Sequence, residues 1–252
     1  MNTQLREVVR VVEPQRVMEG AGVPVRRAIG SYNLRSLDPF LLLDHFGSEN
    51  PEDFAAGFPM HRHQQVQTVT YMIAGYMEHR DNTGGEGRVG PGGIQIMTAG
   101  SGIRHSEMPH PEEGRMEGFQ LWVEPPADVQ RGPPHYQGVP ADRIPERALD
   151  AQGKVRIVAG AWQGTRNETT EIAQEVEYLD VSLPPDSSFS KEIAAGRTAF
   201  AYVFEGQGRF GGEGRREIAA HRLVVYGDGD HVQVRTTEEG VRFLLISGQP
   251  LR

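Results

Sequence analysis

Short runs of apolar residues, five to seven long, recur along the whole chain and are separated by turn-forming residues. Residues 67–73, 93–97, 119–123, 155–159 and 241–246 are rich in Val, Ile, Leu, Phe and Tyr, and runs of this length and composition predict β-strands. The 31 glycines and 17 prolines are spread between them, as expected where many strands are joined by turns. Helical periodicity is confined to residues 127–130 and the charged stretch 142–150. The pattern therefore predicts an all-β protein with minor short helices.

The two halves repeat. Residues 68–74 followed by Gly75 align with 199–205 followed by Gly206, residues 93–98 align with 222–227, and residues 119–123 align with 243–247. Three strands recurring in one order predict a duplicated β-barrel. Prolines 125, 126, 133, 134 and 140 mark the connection, because proline is excluded from central strands and stiffens extended linkers. We expect two domains, residues 1–135 and 136–252.

Composition narrows the chemistry. The chain of 252 residues carries 26 basic and 34 acidic side chains, a net charge of −8. That charge opposes non-specific binding to nucleic acid or anionic membranes. With no cysteine, disulfides, thiol catalysis and thiolate metal sites are excluded. Residues 1–15 lack the apolar core of a signal peptide, so the expected compartment is the cytoplasm. The glycine-rich stretch Gly84-Gly85-Glu86-Gly87 lacks the Lys-Ser/Thr of a phosphate loop and reads as a hairpin turn.

Histidine placement is more informative. In a strand, side chains at i and i+2 share a face, so His61 and His63 would project together, as would His105 and Glu107. If both pairs face inward, three imidazoles and one carboxylate converge. Such a set suits a divalent first-row metal with positions left open for substrate or dioxygen. Iron(II) is the first choice, with Mn, Ni, Co, Cu and Zn as alternatives. His79 and Asp81 have the same spacing but run into turn-forming Asn82-Thr83-Gly84-Gly85 and are assigned to a solvated hairpin tip. His45, His110 and His135 are read as surface or hydrogen-bonded histidines, with His110 placed to line the mouth of a pocket. The second half has Ser190-Lys191-Glu192 where the first has His61-Arg62-His63, so only the first copy is equipped for metal.

The segments Leu37-Asp38-Pro39-Phe40-Leu41-Leu42-Leu43-Asp44, Gly57-Phe58-Pro59, His61-Arg62-His63, Thr68-Val69-Thr70-Tyr71, Met97-Thr98-Ala99-Gly100-Ser101-Gly102-Ile103, His105-Ser106-Glu107-Met108-Pro109 and Gln120-Leu121-Trp122-Val123 resemble the pirin family. The resemblance implies a bicupin, two face-packed cupin β-barrels, with one metal in the N-terminal barrel held by His61, His63, His105 and Glu107. The sequence departs from the family at Gln64-Gln65-Val66-Gln67, where pirins commonly read Arg-Gly-Phe-Glu after the second histidine, and Gln67 stands where general cupins carry a ligand glutamate. By resemblance the expected activity is a quercetin 2,3-dioxygenase-like opening of a flavonol ring, with dioxygen as co-substrate and Glu107 as ligand and base. The alternative implied by the same family is a non-catalytic, iron-binding redox sensor that binds a transcription factor or a metabolic enzyme.

Overall fold

The computed structural model describes residues 4–149, 153–170, 172–212 and 216–252. It is built almost entirely of strands. A seven-stranded sheet runs, in spatial order, through His135–Val139, Ile94–Thr98, Gln67–Ala74, Met116–Val123, Phe40–Ser48, Val23–Ile29 and Gln15–Glu19. A four-stranded sheet of Phe58–His63, Ile103–His110, Tyr76–Asp81 and Glu86–Val89 faces it and closes the first barrel. The second barrel repeats the central order. Thr198–Phe210 lies between Arg222–Tyr226 and Val241–Gly248, followed outward by Glu177–Leu183 and Lys154–Ala159, just as Gln67–Ala74 lies between Ile94–Thr98 and Met116–Val123.

Register refines the repeat. Phe119 pairs with Tyr71, and Leu244 pairs with Tyr202, so Phe119 corresponds to Leu244 rather than to Phe243. Aligning the two phenylalanines slips the register by one residue, which exchanges the two faces of a strand.

Each copy turns sharply at a glycine in the same place. Gly75 has φ +70° and Gly206 φ +65°, and a Cβ on Gly206 would lie 2.0 Å from the Gly240 carbonyl oxygen. Only glycine fits that bend.

The sheets interleave across the division expected at residue 135. Val8–Val12 pairs with Arg222–Tyr226 in the second barrel, while His135–Val139 pairs with Ile94–Thr98 in the first. The short helix expected at residues 127–130 forms and runs one residue further, Ala127–Arg131. Residues 142–150 do not form one: the chain makes a single 3-10 turn, Ala141–Arg143, then a strand, Glu146–Ala148, paired with Lys154–Ala159; Asp150 lies outside the described residues. Strand pairing overrides the weak helical pattern there.

Alternation along the strands separates a cluster between the barrels from the barrel interiors. Val69, Tyr71, Phe119 and Leu121 of the first barrel pack with Phe200, Tyr202, Leu244 and Ile246 of the second in one continuous buried cluster between the barrels. The residues between them point into the barrels. In the second barrel these are Ala199, Ala201, Val203, Val224 and Leu245, part of an apolar core. In the first they include Thr68, Thr70 and Gln95, all buried. Apolar clusters around Met72 and Met116 and around Met97 and Ile103 accompany these polar groups. Buried polar side chains are costly unless hydrogen-bonded or holding a polar ligand, and among the described residues the first barrel carries more of them in its interior than the second. No helix among the described residues is long and apolar enough to cross a membrane.

Candidate metal centre

The site sits on three adjacent strands of the four-stranded sheet. In Ile103–His110, Ile103, His105, Glu107 and Pro109 are buried while Arg104 and His110 are exposed, so His105 and Glu107 face inward together as their spacing predicts. On one side His105 is in register with His61, and on the other with Asp81. A bulge between His105 and Glu107 offsets Phe58–His63 along its neighbour; bulges commonly re-aim side chains at such sites.

Three imidazoles meet here. One nitrogen from each of His61, His63 and His105 lies within 4.8 Å of the other two, and the ring centroids are 4.4 Å apart for His61 and His105, 4.7 Å for His61 and His63, and 4.9 Å for His63 and His105. His61 Nδ1 is 2.8 Å from the Pro59 carbonyl oxygen, which occupies that nitrogen as a donor and leaves Nε2 free. His105 Nδ1 is 3.2 Å from His79 Nδ1, while His105 Nε2 is buried with no hydrogen-bond partner among the described residues. Burial, reinforced by neighbouring His61, pushes His63 down to about 4. The same cause, with His61, His63 and His79 close by, pushes His105 down to about 2. Both rings are therefore neutral near pH 7 and offer lone pairs. An orphaned buried nitrogen beside two other imidazoles fits a divalent metal.

Glu107 lies outside the three-histidine group and is buried. Thr70 Oγ1 donates to its Oε1 over 3.3 Å and Gln120 Nε2 to its Oε2 over 3.2 Å, and Gln95 Nε2 donates to Oε1 in a short bond. Burial pushes the carboxyl up to about 7, against the opposing pull of these three donors. A carboxyl poised there can exchange a proton at neutral pH. Trp122 closes one wall, its ring 5.0 Å from His63 and edge-on to it. His61 and His63 are only partly buried, so the centre opens to solvent on their side.

The structure corrects the reading of His79 and Asp81. Both belong to the strand Tyr76–Asp81, His79 is fully buried, and its ring lies against His105 rather than on a solvated tip. The turn begins only at Asn82. The signal was present, since His79-Arg80-Asp81 repeats the i, i+2 spacing of the two accepted pairs. Gln67 does not face the centre: its Nε2 donates to Thr98 Oγ1 over 2.9 Å, and its Oε1 accepts from the Ala173 backbone over 2.7 Å. Gln67 therefore joins the two barrels, while Val66 packs inside the first against Met97, Ala99 and Ile103, and Gln64 and Gln65 are exposed. His45 is buried between them, 2.9 Å from Glu117 and 3.2 Å from Tyr202 Oη, which agrees with a hydrogen-bonded histidine. His110 and His135 are exposed, and His110 pairs with Glu78 at 3.2 Å.

A doubled barrel with buried polar and histidine side chains in one copy and an apolar core in the other defines a bicupin, and among the described residues the His61, His63 and His105 group is the candidate that could hold a metal. The pirin profile matches residues 22–123, and that of the pirin C-terminal cupin domain matches residues 178–252. The chain belongs to the pirin family. It is 41% identical over 248 residues to a pirin-like protein of Caulobacter vibrioides, covering 98% of this chain and 88% of that one. It is 38% identical over 237 residues to human pirin, covering 93% and 79%. A crystal structure of quercetin 2,3-dioxygenase from Acinetobacter baumannii superposes with a TM-score of 0.86 at 28% identity, covering 98% of this chain and 88% of that chain.

Proposed function

We propose that this protein is a metal-dependent dioxygenase that opens the heterocyclic ring of a flavonol such as quercetin, with His61, His63, His105 and Glu107 as the ligand set. The observation that carries the reading is the convergence of the imidazoles of His61, His63 and His105, with the buried Glu107 two residues along the same strand as His105. Imidazole and carboxylate donors suit iron(II). Bound there, the metal supplies Lewis acidity and a place where an electron-rich ring and dioxygen meet.

The chain's own residues supply the rest. Glu107 accepts the proton of the flavonol ring hydroxyl, and Thr70, Gln95 and Gln120 hold its carboxylate in one orientation. The indole of Trp122, perpendicular to the His63 ring at 5.0 Å, supplies aromatic surface beside the histidines for an aromatic ring to pack against. The structural likeness to a quercetin 2,3-dioxygenase over nearly the whole chain supports the same substrate class.

The test is oxygen uptake and carbon monoxide release with quercetin, using iron-loaded protein. Turnover that disappears in Glu107→Ala supports the proposal. A Glu107→Ala protein that keeps its metal and still opens quercetin refutes the role given to Glu107, and an iron-loaded wild-type protein without turnover refutes the activity.

A further inference from the structure

We propose that Asp81 and His79 are positioning residues that fix the tautomer of His105, so that its Nε2 lone pair is presented to His61 and His63. The inference rests on the metal reading above for its purpose, and on hydrogen-bond geometry for its argument.

The chain of bonds starts in the turn. Asp81 Oδ1 accepts from Thr83 N at 2.7 Å, Thr83 Oγ1 at 2.6 Å and Gly85 N at 3.0 Å. These three donors fix the carboxylate and leave Oδ2 for His79 Nε2, 3.0 Å away. A carboxylate only accepts, so His79 carries its proton on Nε2. A neutral imidazole has one N–H, which leaves His79 Nδ1 as a bare acceptor. It lies 3.2 Å from His105 Nδ1, so His105 must donate from Nδ1, and its Nε2 is left unprotonated. That is the nitrogen found buried without a partner.

Each link has only one consistent proton position. In the reverse arrangement the His79 Nε2 lone pair would face a carboxylate, and an N–H at His105 Nε2 would point at no acceptor. Tyr136 stacks on His79 at 4.0 Å with an interplanar angle of 9°, which holds the relaying ring in plane. Outer partners that orient a ligating histidine are known to strengthen metal sites, and losing one typically weakens binding ten- to a hundredfold. Here the outer partner is itself a histidine, and a carboxylate beyond it sets the direction of the whole chain.

Asp81→Asn separates this role from the turn. Its Oδ1 still serves the three turn donors, but an NH2 group replaces Oδ2 and donates to His79 Nε2. That reverses every bond in the chain and places a proton on His105 Nε2. Nitrogen-15 NMR of histidine-labelled, metal-free protein should find His105 protonated at Nδ1 in the wild type and at Nε2 in Asp81→Asn. Cobalt(II) affinity, measured by chelator competition, should fall about ten- to a hundredfold in Asp81→Asn. It should fall by a comparable factor in His79→Phe, which keeps a ring against Tyr136 but cannot relay. A wild-type His105 protonated at Nε2 overturns the inference. So does an Asp81→Asn protein that keeps the wild-type tautomer and cobalt affinity and loses only thermal stability. The tautomer is read without metal or flavonol, so failure of quercetin turnover leaves it standing.

Discussion

Tyr71 Oη donates to Asp180 Oδ2 across 2.7 Å, joining the central strand of the metal-bearing barrel to a strand of the other. The same carboxylate receives Arg242 Nε at 3.1 Å and Nη2 at 2.8 Å. Asp180 is thus the shared acceptor of a buried network between the barrels, and its loss should cost more than the loss of any one donor. Asp180→Ala leaves Tyr71 Oη without its acceptor and removes two of the bonds to Arg242, which keeps Glu205 at 3.2 Å from its Nη1. It should destabilise the protein by roughly 3 kcal/mol, the upper range for losing hydrogen bonds to a charged group. Tyr71→Phe removes one hydrogen bond and should cost about 1 kcal/mol. Urea unfolding measures both, and equal losses would contradict the network.

A second contact between the barrels makes stability depend on acid. Burial is the main cause that holds His45 below its usual value, and burial with Arg26 and His45 nearby pushes His221 down to about 4. His45 is therefore neutral: its Nε2–H donates to Glu117, and Tyr202 donates to its Nδ1. Burial pushes Glu117 up, but the bond from His45 and the charge of Arg115 outweigh it and keep the carboxyl low. The sign follows from linkage. A histidine lowered on folding contributes no penalty above its unfolded value of 6.5, and stability falls as pH drops from there towards about 4, because the unfolded chain binds the proton first. Thermal unfolding should show Tm decreasing between pH 7.5 and pH 4.5. His221 has φ +61°, a conformation asparagine tolerates, so His221→Asn should fold normally and flatten that decrease. An unchanged slope would remove His221 from the account.

Glu107→Gln keeps the shape and an acceptor oxygen for Thr70 and Gln95 but cannot take a proton. Turnover should fall at least about a hundredfold, the lower range for removing a general base. If turnover with quercetin is retained in Glu107→Gln, the proton goes elsewhere.

Much of this was legible before the structure, and the part that was not has a physical cause. His61, His63, His105 and Glu107 could be paired by period two because strands put i and i+2 on one face. Whether the pairs meet depends on register, and it is the pairing of His105 with His61 that brings them together. His79 and Asp81 carried the same spacing but were outweighed by the turn-forming residues that follow them. Composition marks where a turn begins only to within a residue or two, and here the strand continues through Asp81. Gln67 stands at a motif position where general cupins carry a ligand glutamate, but motif position does not fix direction: the alternation of its strand turns it towards Thr98 and Ala173. The network around Asp180 could not be read at all, since nothing local to residues 71, 180 and 242 reveals that two barrels pack face to face there.

The account rests on three imidazoles holding one metal, and metal stoichiometry tests it most directly. Elemental analysis of the protein after loading with iron(II) and desalting should find one metal per chain. His105→Ala removes the buried nitrogen that has no other partner and should reduce that occupancy to near zero while the second barrel stays folded. A wild-type chain that retains no metal, or a His105→Ala chain that retains as much as the wild type, would contradict it.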